Sequence, residues 1–275
     1  MEPILSIVIA NYNYGRFLGC AIRSVVEQPG FEDCELIVVD GASQDDSVEV
    51  IKGLSDKITY WVSERDHGQS EAFNKGFSKA RGKYLTWLNA DDVMPVGSLR
   101  KIIRAMKTHP ECDWFTGNVY RFTEDGRVIE VGWGPHWYPA FLQRKSSPLV
   151  IFGPATFFSK RIYEAVGRID ESLHYIMDND LWYRFMMAGI KQRRINAFCW
   201  GFRMHEASKT AEFDEHSLAP EIRSKMHEEW LRVMKKTGYR LSRAMRYFLL
   251  LLRAFDGSFV VKFWLKKTFK KVGVE

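Results

Sequence analysis

Four groups of polar residues in this sequence combine carboxylate, amide and imidazole side chains at spacings that chemistry can use. They are Asp40, the run Asn89–Asp92, the run Asp178–Asp180 and the run Arg203–His205. Oxygen ligands are the ones that Mg²⁺ and Mn²⁺ prefer, and such an ion can in turn hold a diphosphate. A carboxylate that stands apart from the metal can take a proton from a hydroxyl group. Together these residue types could bind a metal-complexed phosphate and activate a nucleophile.

Each group also has an ordinary structural explanation. Asp40 followed by Gly41 is a common turn after a strand. The runs 89–92 and 178–180 could cap the helices that follow them, and a lone histidine such as His205 is often structural. The residue types alone therefore leave both interpretations open.

The first hundred residues must position these groups, and they alternate short apolar runs with helical patterns. The runs lie at residues 5–10, 35–40, 58–62 and 83–88 and are rich in Val, Ile and Leu. This alternation predicts an α/β fold with a parallel, doubly wound sheet. Ligands bind beyond the carboxyl ends of the strands in such sheets, so the polar residues that follow the runs are predicted to share one rim.

The pattern changes after about residue 110. Short strands around the turn at residues 124–126 lead into the aromatic segment 133–141. We interpret this part as a layer on the acceptor side, where the molecule with the nucleophilic hydroxyl group would bind. The strand and helix pattern then resumes over residues 149–200. The predicted domains are a catalytic domain at 1–208, with halves 1–110 and 111–208, and a basic amphipathic helical region at 209–275.

The charge of the chain is uneven. The net charge is +6, but residues 221–275 hold 14 Lys and Arg against 5 Asp and Glu, so this tail carries +9 and the preceding part carries −3. Basic residues there alternate with leucines and aromatic residues, which favours peripheral contact with an anionic membrane surface over nucleic acid. A basic helix that packs on the catalytic domain or on a partner remains the alternative.

Cysteine usage and hydropathy bound the cellular compartment. The four cysteines show neither a C-x-x-C pair nor the spacing of a zinc site, which favours a reducing environment. The sequence has no basic segment followed by an apolar run of signal-peptide type, and no stretch of roughly 18 apolar residues. We therefore expect a cytoplasmic protein that can reach the inner face of the plasma membrane.

The four polar groups and the segments around them resemble the family 2 glycosyltransferases, whose fold is called GT-A. The resemblance covers residues 4–208 and implies a Rossmann-like, mostly parallel central sheet flanked by helices. To this we add a helical, basic C-terminal extension. The segments that carry the resemblance, in order, are SIVIANYNYGRFLGCAIRSVVEQ, ELIVVDGASQDDS, SERDHGQSEAFNKGFSKARGKYLTWLNADD and GPATFFSKRIYEAVGRIDESLHYIMDNDLWYRF.

The resemblance implies a role for each of the four groups. Asp40 would contact the nucleotide base, residues 89–91 would hold the ribose and a metal ion, and Asp178 would be the catalytic base. His205 would lie near the metal and the diphosphate. The expected site residues are Asn11, Tyr12, Asp40, Asp66, Gln69, Asn74, Asn89 and Asp91 for the nucleotide, Asp91, Asp92 and His205 for Mn²⁺ or Mg²⁺, Asp178 for catalysis, and Trp182 and Asp180 for the acceptor.

Three positions depart from the family pattern. Asn89 replaces the first Asp of the D-x-D element, Met177 replaces the Glu of the "ED" motif, and Gly41 stands where many members have a second Asp. The later carboxylates of the two motifs, Asp91 and Asp178, are retained. The sequence also lacks the Q-x-x-R-W element and spanning helices of processive synthases, so the resemblance implies the addition of single sugars.

The predicted function is therefore an inverting transfer of one sugar from a nucleotide diphosphate to a hydroxyl of a saccharide or lipid-linked acceptor, in the synthesis of a cell-surface polysaccharide. UDP is favoured as the nucleotide, with dTDP and GDP as alternatives. A protein that binds nucleotide sugars without turnover, or acts as a scaffold, is the alternative that Asn89 and Met177 suggest. A nucleotidyltransferase would need a phosphate loop rich in glycine and lysine near the first strand, which ANYNYGRF does not supply.

Overall fold

The computed structural model describes residues 2–134, 151, 153–205 and 220–237, and within them an eight-stranded sheet carries helices on both faces. This confirms the predicted α/β class. The strands are β1 Leu5–Asn11, β2 Cys34–Asp40, β3 Tyr60–Ser63, β4 Tyr84–Asn89, β5 Trp114–Thr123, β6 Val128–Gly132, β7 Thr156–Ser159 and β8 Gln192–Met204. The helices are α1 Gly15–Val26, α2 Ser47–Gly53, α3 Gln69–Lys79, α4 Ser98–Thr108, α5 Lys160–Ala165, α6 Met177–Met187 and α7 Pro220–Thr237.

The sheet has a parallel half and a mixed half. Strands β3, β2, β1 and β4 lie side by side and are parallel, as the alternating apolar runs predict. Strand β7 then pairs antiparallel with both β4 and β5, while β6 pairs antiparallel with β5. Strand β8 runs parallel to β5, so both of these strands end at the same edge of the sheet as β1 to β4.

Two apolar layers cover the faces of the sheet because residues alternate along each strand. On β1, Ile7 and Ile9 face the layer that includes α1, α2 and α4, whereas Val8 faces the layer that includes α3, α5 and α6. All three residues are fully buried. At about 25 cal/mol per Å² of apolar surface, burial on both faces is the main source of stability for such a sheet.

The second layer contains a stack of three tryptophans. Trp182 on α6 lies between Trp87 on β4, at 5.6 Å between ring centroids, and Trp114 on β5, at 5.9 Å. The planes of Trp87 and Trp182 differ by only 2°. Because Trp182 has no exposed surface, no sugar can stack on it. The expected acceptor role of Trp182 is therefore replaced by a role in the core that fixes α6 on the sheet.

The predicted C-terminal region is described only in part. Residues 220–237 form α7, whose Val233 is 1% exposed in the second layer and whose Trp230 contacts the ring of Tyr183. The predicted basic segment from Arg240 onward lies outside the described residues. Within the described ranges, no helix has both the length and the apolar character needed to cross a membrane.

Candidate active site

The strand ends bring most of the predicted polar residues to one rim. In the register of the parallel half, Asn11 at the end of β1 pairs with Asp40 on β2, and Asp40 pairs with Ser63 on β3. Asn89 ends β4 beside Ala10 on the other side of β1. The rim is thus a consequence of four parallel strands that end together.

Asp40 is the best-bonded carboxylate on this rim. Its Oδ1 accepts hydrogen bonds from Asn11 Nδ2 at 2.6 Å and Ser43 Oγ at 2.5 Å. Its Oδ2 accepts from Ser43 N at 3.0 Å and from Ser63 Oγ at 2.6 Å. A carboxylate has about four acceptor positions, and Asp40 is fully buried. Asp40 therefore fixes the loop after β2, and its expected contact with a nucleotide base stays a prediction.

The same loops leave an open surface beside Asp40. Tyr12 is 59% exposed. A Cβ atom on Gly41 would lie 2.9 Å from Asp66 Oδ2 and 3.2 Å from the ring of Tyr12, so only glycine leaves this gap free. Asn13 and Ala42 adopt left-handed backbone angles, with φ of 56° and 61°, which are uncommon outside functional loops and turns. Tyr12 and Asp66 thus pack closely over Gly41, and the surface that they border beside it is called the recess below.

Asp66 has an oxygen that points into this recess. Its Oδ1 accepts a hydrogen bond from Gly68 N at 2.9 Å, while its Oδ2 is the atom near Gly41. Burial raises the pKa of the Asp66 carboxyl, against the hydrogen bond from Gly68. Among the described residues Asp66 Oδ2 has no hydrogen-bond partner, so it is available to accept a hydrogen bond from a ligand.

A hydrogen-bond chain crosses the end of β4. Gln69 Nε2 donates to Asn89 Oδ1 at 3.1 Å, and Asn89 Nδ2 donates to Asp92 Oδ2 at 2.8 Å. Arg203 N donates to Asp92 Oδ1 at 2.9 Å, and Arg203 Nε donates to the carbonyl oxygen of Asp91 at 2.8 Å. The chain joins α3, β4 and β8, and it explains why an amide stands at position 89.

Asp92 lies inside this chain and not on the surface. It has no exposed area, and both of its oxygens accept the hydrogen bonds just described. Burial, together with the negative charge of Asp91, raises the pKa of the Asp92 carboxyl. Since neither oxygen of Asp92 is exposed to an incoming ion, its expected role as a metal ligand is replaced by a structural one.

Asp91 and His205 form the pair that could hold a divalent ion. Asp91 Oδ2 lies 3.1 Å from His205 Nε2, and the ring of His205 contacts Phe17 at 4.5 Å and Tyr14 at 5.8 Å between centroids. Neighbouring ligands of an octahedral ion with bonds of about 2.1 Å lie about 3.0 Å apart. The separation of the two atoms matches this spacing, so both could be ligands of one ion. No cluster of three His, Cys, Asp or Glu with metal-binding geometry occurs in the described parts of the chain.

Tyr14 borders this pair from helix α1. Its hydroxyl is partly buried, and burial together with the charges of Asp91 and Asp92 raises the pKa of Tyr14 to about 12. The hydroxyl therefore stays protonated at any physiological pH. It is a neutral neighbour of the Asp91 and His205 pair.

Asp178 is the second residue of α6, and among the described residues only one of its carboxylate oxygens, Oδ1, has a hydrogen-bond partner; the other, Oδ2, is called the open oxygen below. Its Oδ1 accepts a hydrogen bond from Asn179 N at 2.7 Å. Its Oδ2 lies 3.4 Å from the position of a Cβ on Gly153, and the same Cβ would lie 3.1 Å from the ring of Trp87 on β4. Burial raises the pKa of the Asp178 carboxyl, which is partly exposed. A carboxylate with this environment is suited to general base catalysis.

The turn that precedes Asp178 is linked to the end of β4 through α3. Ser70 Oγ donates to Leu173 O at 2.6 Å and lies 3.1 Å from Met177 Sδ, while the adjacent Gln69 donates to Asn89. The structure thus brings the turn at residues 173–178 to the side of the rim where Asn89 ends β4.

Asp180 points away from that rim. It is fully buried, accepts hydrogen bonds from Arg184 Nε at 2.8 Å, and lies 3.6 Å from Lys236 Nζ on α7. A buried carboxylate in an ion pair is costly to separate from its partner. Asp180 therefore holds α6 in place, and its expected acceptor role is not supported by its position.

Asn74 is also engaged elsewhere. Its Nδ2 donates to Ile169 O at 3.0 Å and to Glu171 Oε1 at 2.7 Å, and the hydroxyl of Tyr163 donates to its Oδ1. With these partners, Asn74 joins α3 to the segment before α6. The expected nucleotide contact from Asn74 is corrected to this structural role.

Sequence reasoning missed Glu229, a carboxylate on α7 that is only 3% exposed. Its Oε1 accepts from His174 N at 2.8 Å, and its Oε2 accepts from Tyr175 N at 3.0 Å and Ile176 N at 3.3 Å. The available signal was an acidic residue next to Trp230 on the apolar stripe of an amphipathic helix. It was obscured by the basic composition of the region.

Comparison with known proteins agrees with this geometry. The model of the family described as Glycosyl transferase family 2 matches residues 6–167, more than half of the chain. A protein named as an uncharacterized glycosyltransferase of Nostoc is 40% identical over 108 residues, covering 38% of this chain and 33% of the relative. Another, of Methanocaldococcus jannaschii, is 27% identical over 213 residues, covering 74% and 71%. The chain spans 33% to 59% of the first three relatives.

Solved structures share the fold at low identity. S. aureus TarS in complex with UDP-GlcNAc has a TM-score of 0.65 and 14% identity, covering 89% of this chain and 69% of that one. A mannosyltransferase of Pyrobaculum calidifontis in complex with GDP-Man and Mn²⁺ has a TM-score of 0.58 and 14% identity, covering 93% and 81%. At this identity the likeness shows the fold alone, which is the GT-A fold.

The amide at position 89 leads to the first prediction. Asn89→Asp is expected to lower the free energy of unfolding by about 1–3 kcal/mol at neutral pH, because a carboxylate replaces the donor that Asp92 needs. The loss should shrink as the pH falls, since two adjacent carboxylates then share a proton. Chemical denaturation at pH 7 and pH 5 measures both effects.

The matched control is Asn196→Asp, the same change at an exposed position on β8. Its free energy of unfolding should stay within about 0.5 kcal/mol of the wild type. An Asn89→Asp variant as stable as the wild type at neutral pH would contradict the hydrogen-bond chain.

Proposed function

Since this chain belongs to glycosyl transferase family 2, we propose that it transfers one sugar from a nucleotide diphosphate sugar to a hydroxyl of a saccharide or lipid-linked acceptor, with inversion. The observation that carries the proposal is the placement of two chemically distinct groups around the end of β4. Asp91 and His205 pair just after the end of β4, while Asp178 Oδ2 and the ring of Trp87 on β4 both lie close to Gly153. Displacement at an anomeric carbon needs a cation that neutralises the leaving diphosphate and a base that deprotonates the acceptor hydroxyl.

The nucleotide is proposed to lie in the recess bordered by Tyr12 and Asp66. Tyr12 is exposed enough to stack on a base, and Asp66 Oδ2 can accept a hydrogen bond from a base N–H group. Gly41 leaves room for both contacts. Uracil and guanine each offer a suitable N–H, and TarS and the mannosyltransferase were solved with UDP-GlcNAc and GDP-Man respectively. UDP remains the favoured nucleotide.

Asp91 and His205 are proposed to hold Mn²⁺ or Mg²⁺ when the donor is bound. The ion would neutralise the diphosphate that leaves the sugar. Two protein ligands leave the other positions for phosphate oxygens and water, as is usual for Mg²⁺ sites. Gln69 and Asn89 keep the Asp91 backbone in place through Asp92.

Asp178 is proposed to act as the general base. Its open Oδ2 takes the proton from the acceptor hydroxyl while the hydroxyl oxygen forms a bond to the anomeric carbon. The bond from that carbon to the diphosphate oxygen breaks in the same displacement, so the configuration inverts. Because its pKa is raised, Asp178 is a stronger base than an ordinary aspartate, and its pKa lies closer to the pH at which the reaction would run.

A protein that binds nucleotide sugars without turnover is the second candidate. The departures at Asn89 and Met177 favour it, because the family usually has acidic residues there. The presence of an open oxygen on Asp178 disfavours it, since a binding protein has no need of a partly buried base. Release of nucleoside diphosphate, as opposed to binding alone, separates the two functions.

Metal dependence is the second prediction. Titration of UDP and GDP should show affinity about tenfold or more higher with Mn²⁺ or Mg²⁺ than in EDTA, because Asp91 and His205 can bind the diphosphate only through an ion. Asp91→Ala should remove this difference, whereas Asp125→Ala in an exposed turn should keep it. Equal affinity in EDTA and Mn²⁺ for the wild type would exclude the metal.

A panel of UDP, GDP and dTDP sugars, assayed for metal-dependent release of nucleoside diphosphate, then identifies the donor.

The base assignment gives the third prediction. Asp178→Asn should lower turnover by about 10²- to 10⁴-fold with little change in nucleotide affinity, because the amide keeps the shape but cannot take a proton. The wild-type rate should fall as the pH drops towards the raised pKa of Asp178, and the residual rate of the variant should lack this acid limb.

The neighbouring Asp180→Asn is the control for this change. It weakens the pair with Arg184 and should lower the melting temperature, yet well below that temperature it should retain most turnover. If Asp178→Asn keeps more than about a tenth of the wild-type rate, or if Asp180→Asn is the more damaging variant, the assignment fails.

The basic tail supports a proposed place of action at the cytoplasmic face of an anionic membrane, where lipid-linked acceptors of cell-surface polysaccharides would be found. The fourth prediction is that full-length protein floats with anionic liposomes at low salt and is released by high salt. A truncation that ends at Gly238 removes most of the +9 charge and should not float. Equally poor flotation of both proteins would exclude membrane contact through the tail.

A further inference from the structure

Helix α7 contacts the chain immediately before the proposed base. The side chain of Glu229 reaches from α7 to the backbone N–H groups of His174, Tyr175 and Ile176, at 2.8, 3.0 and 3.3 Å. Helix α6 begins at the next residue, and Asp178 follows one position later. One carboxylate thus binds three successive donors at the entrance to α6.

The three donors lie before the first turn of α6, whose N-cap residue is Ile176. Backbone N–H groups that are removed from water need an acceptor, and the side chain of Ile176 has no oxygen that could cap the helix. The negative charge of Glu229 also complements the positive end of the α6 dipole. Glu229 therefore supplies, from a remote helix, the acceptor for the backbone that leads into α6.

A second contact fixes the same helix pair in position. Lys236, two turns after Glu229, donates to Asp170 Oδ2 at 2.8 Å and lies 3.6 Å from Asp180 Oδ1. Burial raises the pKa of Asp170, but hydrogen bonds from Lys236 and Ser172 lower it to about 2 overall. Helix α7 thus contacts the segment before α6 through Glu229, and both that segment and α6 itself through Lys236.

We propose that Glu229 is a positioning residue for Asp178. By binding the backbone of residues 174–176, Glu229 sets the direction in which the first turn of α6 leaves, and with it the direction of the open oxygen of Asp178. This inference rests on the proposed function of Asp178 as the base. An error of about 1 Å in the position of a reacting group can cost about 10²-fold in rate, so the loss of this anchor should be visible in turnover.

The test compares Glu229→Gln with Glu228→Gln. Gln keeps the size of the side chain, but it removes the charge and places an amide N–H₂ opposite at least one backbone N–H. Glu228 is the neighbouring residue on α7, is exposed, and accepts only a 3.4 Å hydrogen bond from Ser224 among the described residues. Turnover is measured with the nucleotide sugar that gives the fastest metal-dependent release of nucleoside diphosphate, well below the melting temperature of the least stable variant.

The expected result is a loss of about tenfold or more in kcat for Glu229→Gln, with the nucleoside diphosphate affinity and binding stoichiometry of the wild type. Glu228→Gln should match the wild type. Glu229→Asp keeps the charge with a shorter reach and should restore part of the rate. Unchanged stoichiometry shows that the lost turnover does not come from a smaller folded fraction.

A double-mutant cycle separates positioning from general stability. If Glu229 acts through Asp178, the variant that carries both Asp178→Asn and Glu229→Gln should turn over as slowly as Asp178→Asn alone. Additive losses, or a Glu229→Gln rate within twofold of the wild type, would overturn the positioning role. If instead Asp178→Asn itself retains the wild-type rate, the base assignment has failed, and the proposal for Glu229 is overturned with it.

Discussion

The site depends on one buried carboxylate, that of Asp92. A buried carboxyl group is costly unless its oxygens are hydrogen-bonded, and Asp92 draws its donors from Asn89 on β4 and from the backbone of Arg203 on β8. These two strands are not neighbours, because β7 and β5 lie between them. The need to satisfy Asp92 therefore joins the two halves of the sheet at their common edge. Asp91 and His205 meet there because Asp91 precedes Asp92 and His205 lies two residues after Arg203.

The carboxylates around the rim are of two kinds, buried and partly exposed. Asp40, Asp92 and Asp180 are fully buried and held by donors, whereas Asp66, Asp91 and Asp178 keep part of their surface open. Each open carboxylate is near a buried one, either beside it in the sequence or across the loop after β2. The buried members fix the backbone, and the open members are the ones proposed to contact a substrate. Glu229 extends this principle to the entrance of α6, since it too is a buried carboxylate that orders backbone N–H groups.

The sequence predicted the parallel half of the sheet and its rim because alternating apolar runs and the polar residues after them follow directly from burial on both faces. It did not predict which carboxylate of each group is buried. That choice depends on donors far away in the chain, such as Ser63 for Asp40 and Lys236 for Asp180. Trp182 was misplaced for a similar reason. An aromatic residue at helical spacing can face a ligand or a core, and only its stacking on Trp87 and Trp114 decides between them.

The long separation of Asp91 and His205 in the chain has a consequence for how the protein folds. The pair closes only after β5, β7 and β8 have been added to the first four strands, so a nascent or partly folded chain contains no complete donor site. A ligand that binds only the complete fold adds its binding free energy to the stability of that fold. Donor and metal would therefore stabilise the contact between the parallel and the mixed half of the sheet. In a cell rich in nucleotide sugars, the abundance of the enzyme would then follow the supply of its own substrate.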